Sequence, residues 1–236
     1  MFENPDYIVI GSGSAGSTIA YRLGENPSNQ VLVLEFGGSD FSPFIQMPAA
    51  LSYPMNMPKF DWGYKAEPEP ELNGRSLVCP RGKVIGGSSS INGMIYVRGN
   101  PGDYHEWARS GATGWDYPDV LPYFQRMEKS HGGTSEFRGS DGPLHVTHGK
   151  RDNPLHEAFV SAAQQAGYER TEDYNAYRQE GFGPADMTVY NGSRFSTAKA
   201  YLKPALAKKN VKLVTRALVD KIIFKRKKAV GVEFFH

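Results

Sequence analysis

The stretch Tyr7-Ile8-Val9-Ile10-Gly11-Ser12-Gly13-Ser14-Ala15-Gly16, near the start of the chain, decides the fold. Its first four residues form an apolar, largely β-branched run, which is typical of a strand buried on both faces of a parallel sheet. The next six match the pattern G-x-G-x-x-G, and Ser17–Leu23 has the apolar spacing of a helix. Val31–Leu34 is a second apolar run that leads into Glu35. This order predicts a β-α-β unit with two parallel strands.

Each conspicuous residue of this unit has a physical role in holding a dinucleotide. Gly11 permits a tight turn, Gly13 lets the backbone approach a pyrophosphate, and Gly16 lets the helix pack closely on the strands. The first turn of the helix offers free N–H groups to the phosphates. Glu35 follows Gly16 by the spacing at which an acid accepts hydrogen bonds from a ribose, and it would repel a 2′-phosphate. The motif therefore disfavours NADP and leaves both FAD and NAD open.

Composition excludes several classes of protein. The 236 residues carry 27 basic and 25 acidic side chains, which is too even a balance for a nucleic-acid binder. The single cysteine, Cys79, allows no internal disulfide and fits a reducing compartment. The sequence contains no run of about 18 apolar residues, which is the length that a membrane span needs. Its N-terminus does not resemble a secretory signal. We expect a cytoplasmic location, with peripheral membrane association as an alternative.

A second glycine cluster lies at Pro80–Gly99, which reads PRGKVIGGSSSINGMIYVRG. Three consecutive serines stand among its glycines, and the segment runs into the strand-like Met94–Val97. Clustered glycines let a backbone lie close against a ligand, and the N–H and hydroxyl groups can then donate hydrogen bonds to it. The alternative is a flexible linker, but a linker would not lead directly into a strand. We therefore predict that this segment faces a ligand.

Several segments together resemble the glucose–methanol–choline (GMC) oxidoreductase family, and within it the choline dehydrogenases. The Arg81–Asn92 signature and the following Tyr96-Val97-Arg98-Gly99 are the most specific. The resemblance also includes segments along the rest of the chain: Gly11–Glu35 with Gly37-Gly38, Met47–Ala50, Asp61–Tyr64, Gly142–Leu144, Glu180–Pro184 and Arg194–Leu202. It implies an α/β fold with a Rossmann-like, GMC-type FAD-binding sheet and a β-meander, plus part of an inserted α+β substrate domain. The implied cofactor is FAD rather than NAD.

The resemblance also implies which residues hold the FAD. Those expected at the ADP half are Gly11, Ser12, Gly13, Ala15, Gly16 and Glu35. Those expected at the flavin half are Val84, Gly87, Ser88, Asn92, Gly93, Met94 and Ile95, and the backbone of Val219 is expected at the adenine. Some relatives bind flavin covalently through a histidine just before this asparagine. Ile91 stands there, and its alkyl side chain cannot form that bond, so we expect non-covalent FAD.

The resemblance divides the chain into three ranges. Residues 1–150 are expected to be the first part of the FAD-binding domain, 151–205 part of the substrate-binding domain, and 206–236 the return to the FAD-binding domain. Pro154–Gly167 has the pattern of an amphipathic helix, whose predicted apolar face comprises Leu155, Phe159, Ala162, Ala163 and Ala166. Three strands are predicted near the end of the chain, at Val211–Val214, Leu218–Phe224 and Val230–Phe235. They would form the β-meander.

The implied activity is hydride transfer from a primary, choline-like alcohol to flavin N5, with the electron acceptor left open. Such chemistry needs a base near the hydroxyl, which this family supplies from a histidine late in a chain about twice as long. None of the six histidines lies in a matching motif, so no catalytic residue is assigned, and we expect a truncated chain that is inactive alone, with the base downstream of His236. His145 and His148 are predicted on one strand, but no metal site is expected. The alternatives are an oxidase of the same family that uses oxygen and a non-catalytic flavin-binding remnant.

Overall fold

The computed structural model describes residues 2, 4–133, 135–150 and 152–236. Its strands, in chain order, are β1 (Tyr7–Ile10), β2 (Val31–Glu35), β3 (Tyr64–Lys65), β4 (Val78–Cys79), β5 (Ile95–Tyr96), β6 (Glu128–Ser130), β7 (Leu144–His148), β8 (Asp186–Met187), β9 (Val189–Tyr190), β10 (Ser193–Arg194), β11 (Val211–Thr215), β12 (Leu218–Lys225) and β13 (Lys228–Phe235). Its α-helices are α1 (Ser14–Leu23), α2 (Pro43–Gln46), α3 (Pro101–Arg109), α4 (Tyr117–Met127), α5 (Pro154–Gln165) and α6 (Lys203–Leu206). A π-helical turn, Ala198–Leu202, precedes α6.

The chain folds into two compact units. The first unit comprises Met1–Gly93 and Gly192–His236, and the second unit comprises Met94–Asn191. These divisions fall at other residues than the predicted ranges 1–150, 151–205 and 206–236. What each range binds stays a prediction.

The first unit is built on a parallel sheet in the order β1-β2-β11. Tyr7 lies opposite Val31, and Val211 lies opposite the same residue on the other side, so β2 is the central strand. All five residues of β2 are buried, as an apolar strand covered on both faces should be. Helix α1 packs on this sheet through Ala20, in a cluster that includes Val9, Val33 and Leu202. The predicted β-α-β unit and α/β fold class are confirmed.

Two details of this unit differ from the prediction. Helix α1 begins at Ser14, three residues before the predicted start, because its first turn is formed by the glycine motif itself. Strand β1 was predicted to be buried on both faces, yet only Val9 is buried and Ile10 is 49% exposed. The reason is position: within the described residues β1 is an edge strand with one neighbour.

The three strands predicted for the meander separate in the structure. Strand β11 joins the parallel sheet, whereas β12 and β13 form an antiparallel hairpin. The register of the hairpin shifts between Val219 and Lys221 and again between Ile223 and Phe224. Partly buried residues of the hairpin, Val219, Val232 and Phe234, pack against Leu32 and Leu34 of β2. The hairpin is therefore attached to the buried face of the sheet by apolar contacts.

The second unit has a four-stranded sheet in the order β5-β8-β7-β6. Its helix α5 ends close to the predicted residue, and Gly167 just beyond it has a left-handed φ of +87°. The predicted apolar face is buried only at Ala163. Leu155 and Phe159 are 77% and 62% exposed, and the buried residues are Val160 and Ala163. A helical wheel finds an apolar stripe, but the smaller side chains of this helix are the ones that pack.

Candidate functional site

The first glycine loop has the geometry that close approach of a ligand requires. Gly11 has φ +84°, a conformation that favours glycine, and a side chain at Gly16 would overlap the carbonyl oxygen of Gly11. Helix α1 therefore begins directly against the loop. Its N-cap residue is Gly13, which has no side chain to cap the helix, and the first turn carries no acidic residue. The first intrahelical hydrogen bond is from the Ser17 N–H to the Gly13 oxygen, which leaves the preceding N–H groups directed out of the helix end.

Glu35 lies at the carboxyl end of β2, where the sequence places it, but its carboxylate is already engaged. One oxygen accepts hydrogen bonds from the Ser12 N–H (2.7 Å) and the Ser12 hydroxyl (2.9 Å). The other accepts from the Gly37 N–H (2.7 Å). Glu35 is only 6% exposed, and all three donors are neutral. The carboxylate thus fixes the glycine loop, and the oxygen that accepts only from Gly37 retains acceptor capacity for another hydroxyl.

The second glycine cluster lies directly against the first. The Gly86 N–H donates to the Ser12 carbonyl at 2.8 Å. A Cβ atom at Gly87 would lie 2.6 Å from the Gly13 Cα, so only glycine fits there, and its φ of +54° points to the same residue type. The Ser88 hydroxyl accepts from the Gly82 N–H, which fixes the loop internally. Ser12, Gly13, Glu35 and Gly87 are therefore brought together in one place.

The residues predicted at the flavin half are placed less uniformly. Val84 is fully buried in an apolar cluster with Ile45, Phe60 and Ile91, so only its backbone is available to a ligand. Gly93 has open space where a side chain would be. Met94 and Ile95 belong to the second unit, where Met94 is buried with φ +64° and Ile95 is 55% exposed. Val219 is partly buried against β2 in the first unit.

Three features of this region were missed at the sequence level. Gly37 was quoted as part of the resemblance, but a side chain there would overlap the backbone of Lys83 and Val84. Arg194 is almost fully buried and binds the Ser89–Asn92 segment. A cavity of about 470 Å³ follows Glu35, lined by residues that include Phe36, Gly38, Lys59 and Arg216. The spacing of the glycines can be seen in the sequence. The other two features cannot, because they join residues more than 100 positions apart.

These observations test whether the residues fit a dinucleotide cofactor. An uncapped helix start offers N–H groups to a pyrophosphate. Gly11, Gly38 and Gly93 all have nothing within 4 Å of the position where a Cβ would stand, so the backbone is open to a ligand at each of them. A buried carboxylate at the end of β2 supplies the acceptor for a ribose. The residues present fit the group.

Two histidines of the second unit lie against one another. The Nε2 atom of His131 lies 2.8 Å from the Nδ1 atom of His145, and both rings pack against Tyr190 in the second unit. Burial, followed by the charges of His131 and Lys129, lowers the pKa of His145. Among the described residues, no group of three or more metal-ligating side chains converges. In the same ranges, no helix has the length and apolar character to cross a bilayer.

The family model for GMC oxidoreductases matches residues 5–236 of this chain. The chain belongs to the GMC oxidoreductase family. It is 61% identical over 228 residues to the oxygen-dependent choline dehydrogenase of Brucella anthropi, covering 97% of this chain and 41% of that protein. The chain thus spans about two fifths of the length of the curated relatives it matches. The region matched by the family model is the FAD-binding region of the family, so FAD is its cofactor.

Solved structures carry the same assignment. Pyridoxine 4-oxidase from Mesorbium loti superimposes with a TM-score of 0.93 at 33% identity, covering 98% of this chain and 46% of that one. Formate oxidase of Aspergillus oryzae superimposes with a TM-score of 0.85 at 26% identity, covering 98% of this chain and 42% of that one. The resemblance inferred from the motifs and the FAD-binding α/β fold are thereby confirmed.

Proposed function

We propose that this chain forms the FAD-holding part of an oxidoreductase that acts on CH–OH donors, with a primary alcohol of the choline type as substrate. The observation that carries the proposal is the contact of the two glycine segments beside the uncapped start of α1. The identity of 61% to an oxygen-dependent choline dehydrogenase supports the substrate class. When bound, FAD supplies a hydride acceptor at its N5 atom.

The chain's own residues divide the binding between them. Gly11, Gly13, Ala15 and Gly16 present backbone to the pyrophosphate. Ser12, whose N–H and hydroxyl both donate to Glu35, sets the shape of the loop. Glu35 uses its remaining acceptor capacity for the ribose.

The flavin half is assigned to the second glycine segment and its continuation. Gly87 lies against Gly13, Ser88 fixes the segment internally through the Gly82 N–H, and the backbones of Val84, Asn92 and Gly93 face the ligand. Met94 and Ile95 continue the same stretch of chain, and the Val219 backbone is assigned to the adenine. Ile91 is 2% exposed and carries no nucleophilic atom, so FAD is held without a covalent bond.

We further propose that the base which takes the proton of the alcohol lies outside these 236 residues. The six histidines stand at 105, 131, 145, 148, 156 and 236, and five of them belong to the second unit. His131 and His145 contact one another, and the Nδ1 atom of His105 contacts the Asp116 carboxylate. In this proposal residues 1–150 and 206–236 serve the cofactor and 151–205 the substrate.

Purified chain supplied with excess FAD tests both parts. The expected result is reversible FAD binding without oxidation of choline in the presence of an artificial electron acceptor. Rapid choline oxidation by the chain alone would overturn the assignment of the base to other residues. Absence of any FAD binding would overturn the cofactor assignment. FAD binding without turnover would favour a non-catalytic flavin-binding remnant if the gene also carries a stop codon after His236.

The electron acceptor has two candidates. The oxidases among the solved relatives favour molecular oxygen, whereas the name of the sequence relatives combines a dehydrogenase with oxygen dependence. If the flanking gene continues in frame, the longer protein can be assayed with choline under air and under nitrogen. Hydrogen peroxide formed in amounts equal to the choline oxidised would identify an oxidase. Turnover that needs an artificial acceptor in both atmospheres would identify a dehydrogenase.

A further inference from the structure

Arg194 is among the largest fully buried side chains of the described residues and is only 1% exposed. It stands in β10, in the first unit, close to the second glycine segment. A guanidinium group remains charged in proteins and is costly to bury without compensation. Its surroundings therefore need an explanation.

The hydrogen bonds of this guanidinium all go to neutral oxygens. The Nε atom donates to the Ile45 carbonyl at 2.9 Å. The Nη1 atom donates to the Ser89 carbonyl at 3.2 Å and to both the carbonyl (2.7 Å) and side-chain oxygen (3.0 Å) of Asn92. Arg194 thus ties helix α2 to the segment assigned to the flavin.

The charge of Arg194 is not matched by an acid. Among the described residues, no carboxylate forms an ion pair with it, and its Nη2 atom has no hydrogen-bond partner. Burial lowers the pKa of Arg194 to about 10. Lys199 adds to the surplus, since its Nζ atom lies 2.8 Å from the Arg194 carbonyl, and the pKa of Lys199 is lowered, by burial first and then by Lys203.

We propose that Arg194 is a positioning residue for the flavin end of the FAD site. Its guanidinium fixes the Ser89–Asn92 segment through hydrogen bonds. Its buried positive charge, which no acid pairs with among the described residues, also makes that segment a favourable neighbour for an electron-rich ring. This inference rests on the proposed function. A positive charge in a low-dielectric interior acts over several ångströms without direct contact. It also favours the form of a nearby group that carries more negative charge.

A purely structural role would leave the properties of bound flavin unchanged. Three variants separate the two effects: Arg194→Lys keeps the charge, Arg194→Gln keeps an amide donor without the charge, and Arg194→Met removes both. Lys209→Met removes an exposed positive charge from the same unit and serves as the control. Each protein is titrated with FAD by flavin fluorescence, and the reduction potential of the bound flavin is measured.

We expect Arg194→Met to raise the FAD dissociation constant by about tenfold or more. Arg194→Gln should lower the reduction potential of bound flavin, whereas Arg194→Lys and Lys209→Met should leave it near that of the wild type. The Gln variant keeps the inference testable if the Met variant does not fold. If Arg194→Gln had the FAD affinity and the flavin reduction potential of the wild type, the inference about Arg194 would be overturned and the proposed function would stand. A wild-type chain that binds no FAD would overturn the proposed function, and this inference with it.

Discussion

Buried charges are handled differently in the two units. In the second unit the Glu128 carboxylate accepts from Arg98 and Arg138, each at 2.8 Å, and Arg138 also pairs with Asp173 and Asp186. In the first unit Glu35 is surrounded by neutral donors and Arg194 by neutral acceptors. We interpret the paired charges of the second unit as stabilising its structure. A charge whose hydrogen-bond partners are all neutral is not compensated, so it can still attract a polar or charged group of a ligand.

One pair in the first unit follows the pattern of the second. The buried Asp40 carboxylate binds the Nζ atom of Lys203 at 2.9 Å. Lys203 is about half exposed, so this pair is partly solvated. Among the described residues, Asp61 accepts hydrogen bonds from the backbone N–H groups of Gly63 and Arg81 and from no others. The comparison therefore rests on Glu35 and Arg194, which border the glycine segments.

The largest expected effect is on the paired network of the second unit. Glu128→Gln leaves the buried Arg98 with a neutral partner and removes one of the three acidic partners of Arg138, so the free energy of unfolding should fall by about 3–5 kcal/mol. Urea unfolding followed by tryptophan fluorescence measures it, since two of the three tryptophans, Trp107 and Trp115, lie in the second unit. Glu106→Gln, which removes an exposed partner of Arg109, is the control and should change stability by about 0.5 kcal/mol or less. If Glu128→Gln and Glu106→Gln lowered the free energy of unfolding equally, the buried paired charges would have no special structural role in the second unit.

A smaller effect is expected at Glu35. Glu35→Gln replaces an acceptor with a group that carries its own N–H bonds, so one donor of the Ser12 or Gly37 set loses its partner. The free energy of unfolding should fall by about 1–3 kcal/mol, and FAD affinity should fall with it. Asp6→Asn is the matched control, since the Asp6 carboxylate accepts from the Gln30 N–H in an exposed position. Unchanged FAD affinity in Glu35→Gln would count against the ribose assignment.

The smallest effect is a pH dependence of the second unit. Because the pKa of His145 is lowered in the folded chain, the unfolded chain binds more protons in mildly acidic solution. The free energy of unfolding should therefore fall as the pH drops through the ordinary histidine pKa of about 6.5. The fall should stop once the pH is below the folded pKa. Unfolding curves at several pH values should show a weaker dependence in His145→Gln than in the wild type or in the exposed control His236→Gln.

Motifs of local origin could be predicted from the sequence, and contacts across long separations could not. The strand–glycine–helix order at Tyr7–Leu23 follows from the spacing of apolar and glycine residues. The apolar face predicted for α5 is buried at Ala163 but exposed at Leu155 and Phe159, because periodicity identifies an apolar stripe without showing which neighbours cover it. Gly13 contacts Gly87, and Arg194 binds the carbonyl of Asn92. No local sequence pattern relates the residues of either pair.

The central claim is that two glycine segments in contact hold FAD without a covalent bond, and equilibrium titration of the 236-residue chain with FAD tests it most directly. The wild type should bind reversibly and release free FAD on denaturation. Gly87→Ala, whose Cβ would lie 2.6 Å from the Gly13 Cα, should weaken binding by about tenfold or more, since overlap of this kind costs roughly 1–3 kcal/mol. Gly231→Ala, in the hairpin with nothing within 4 Å of its Cβ position, should bind as the wild type does. Equal FAD affinity in all three proteins, or flavin that stays attached after denaturation, would contradict the account.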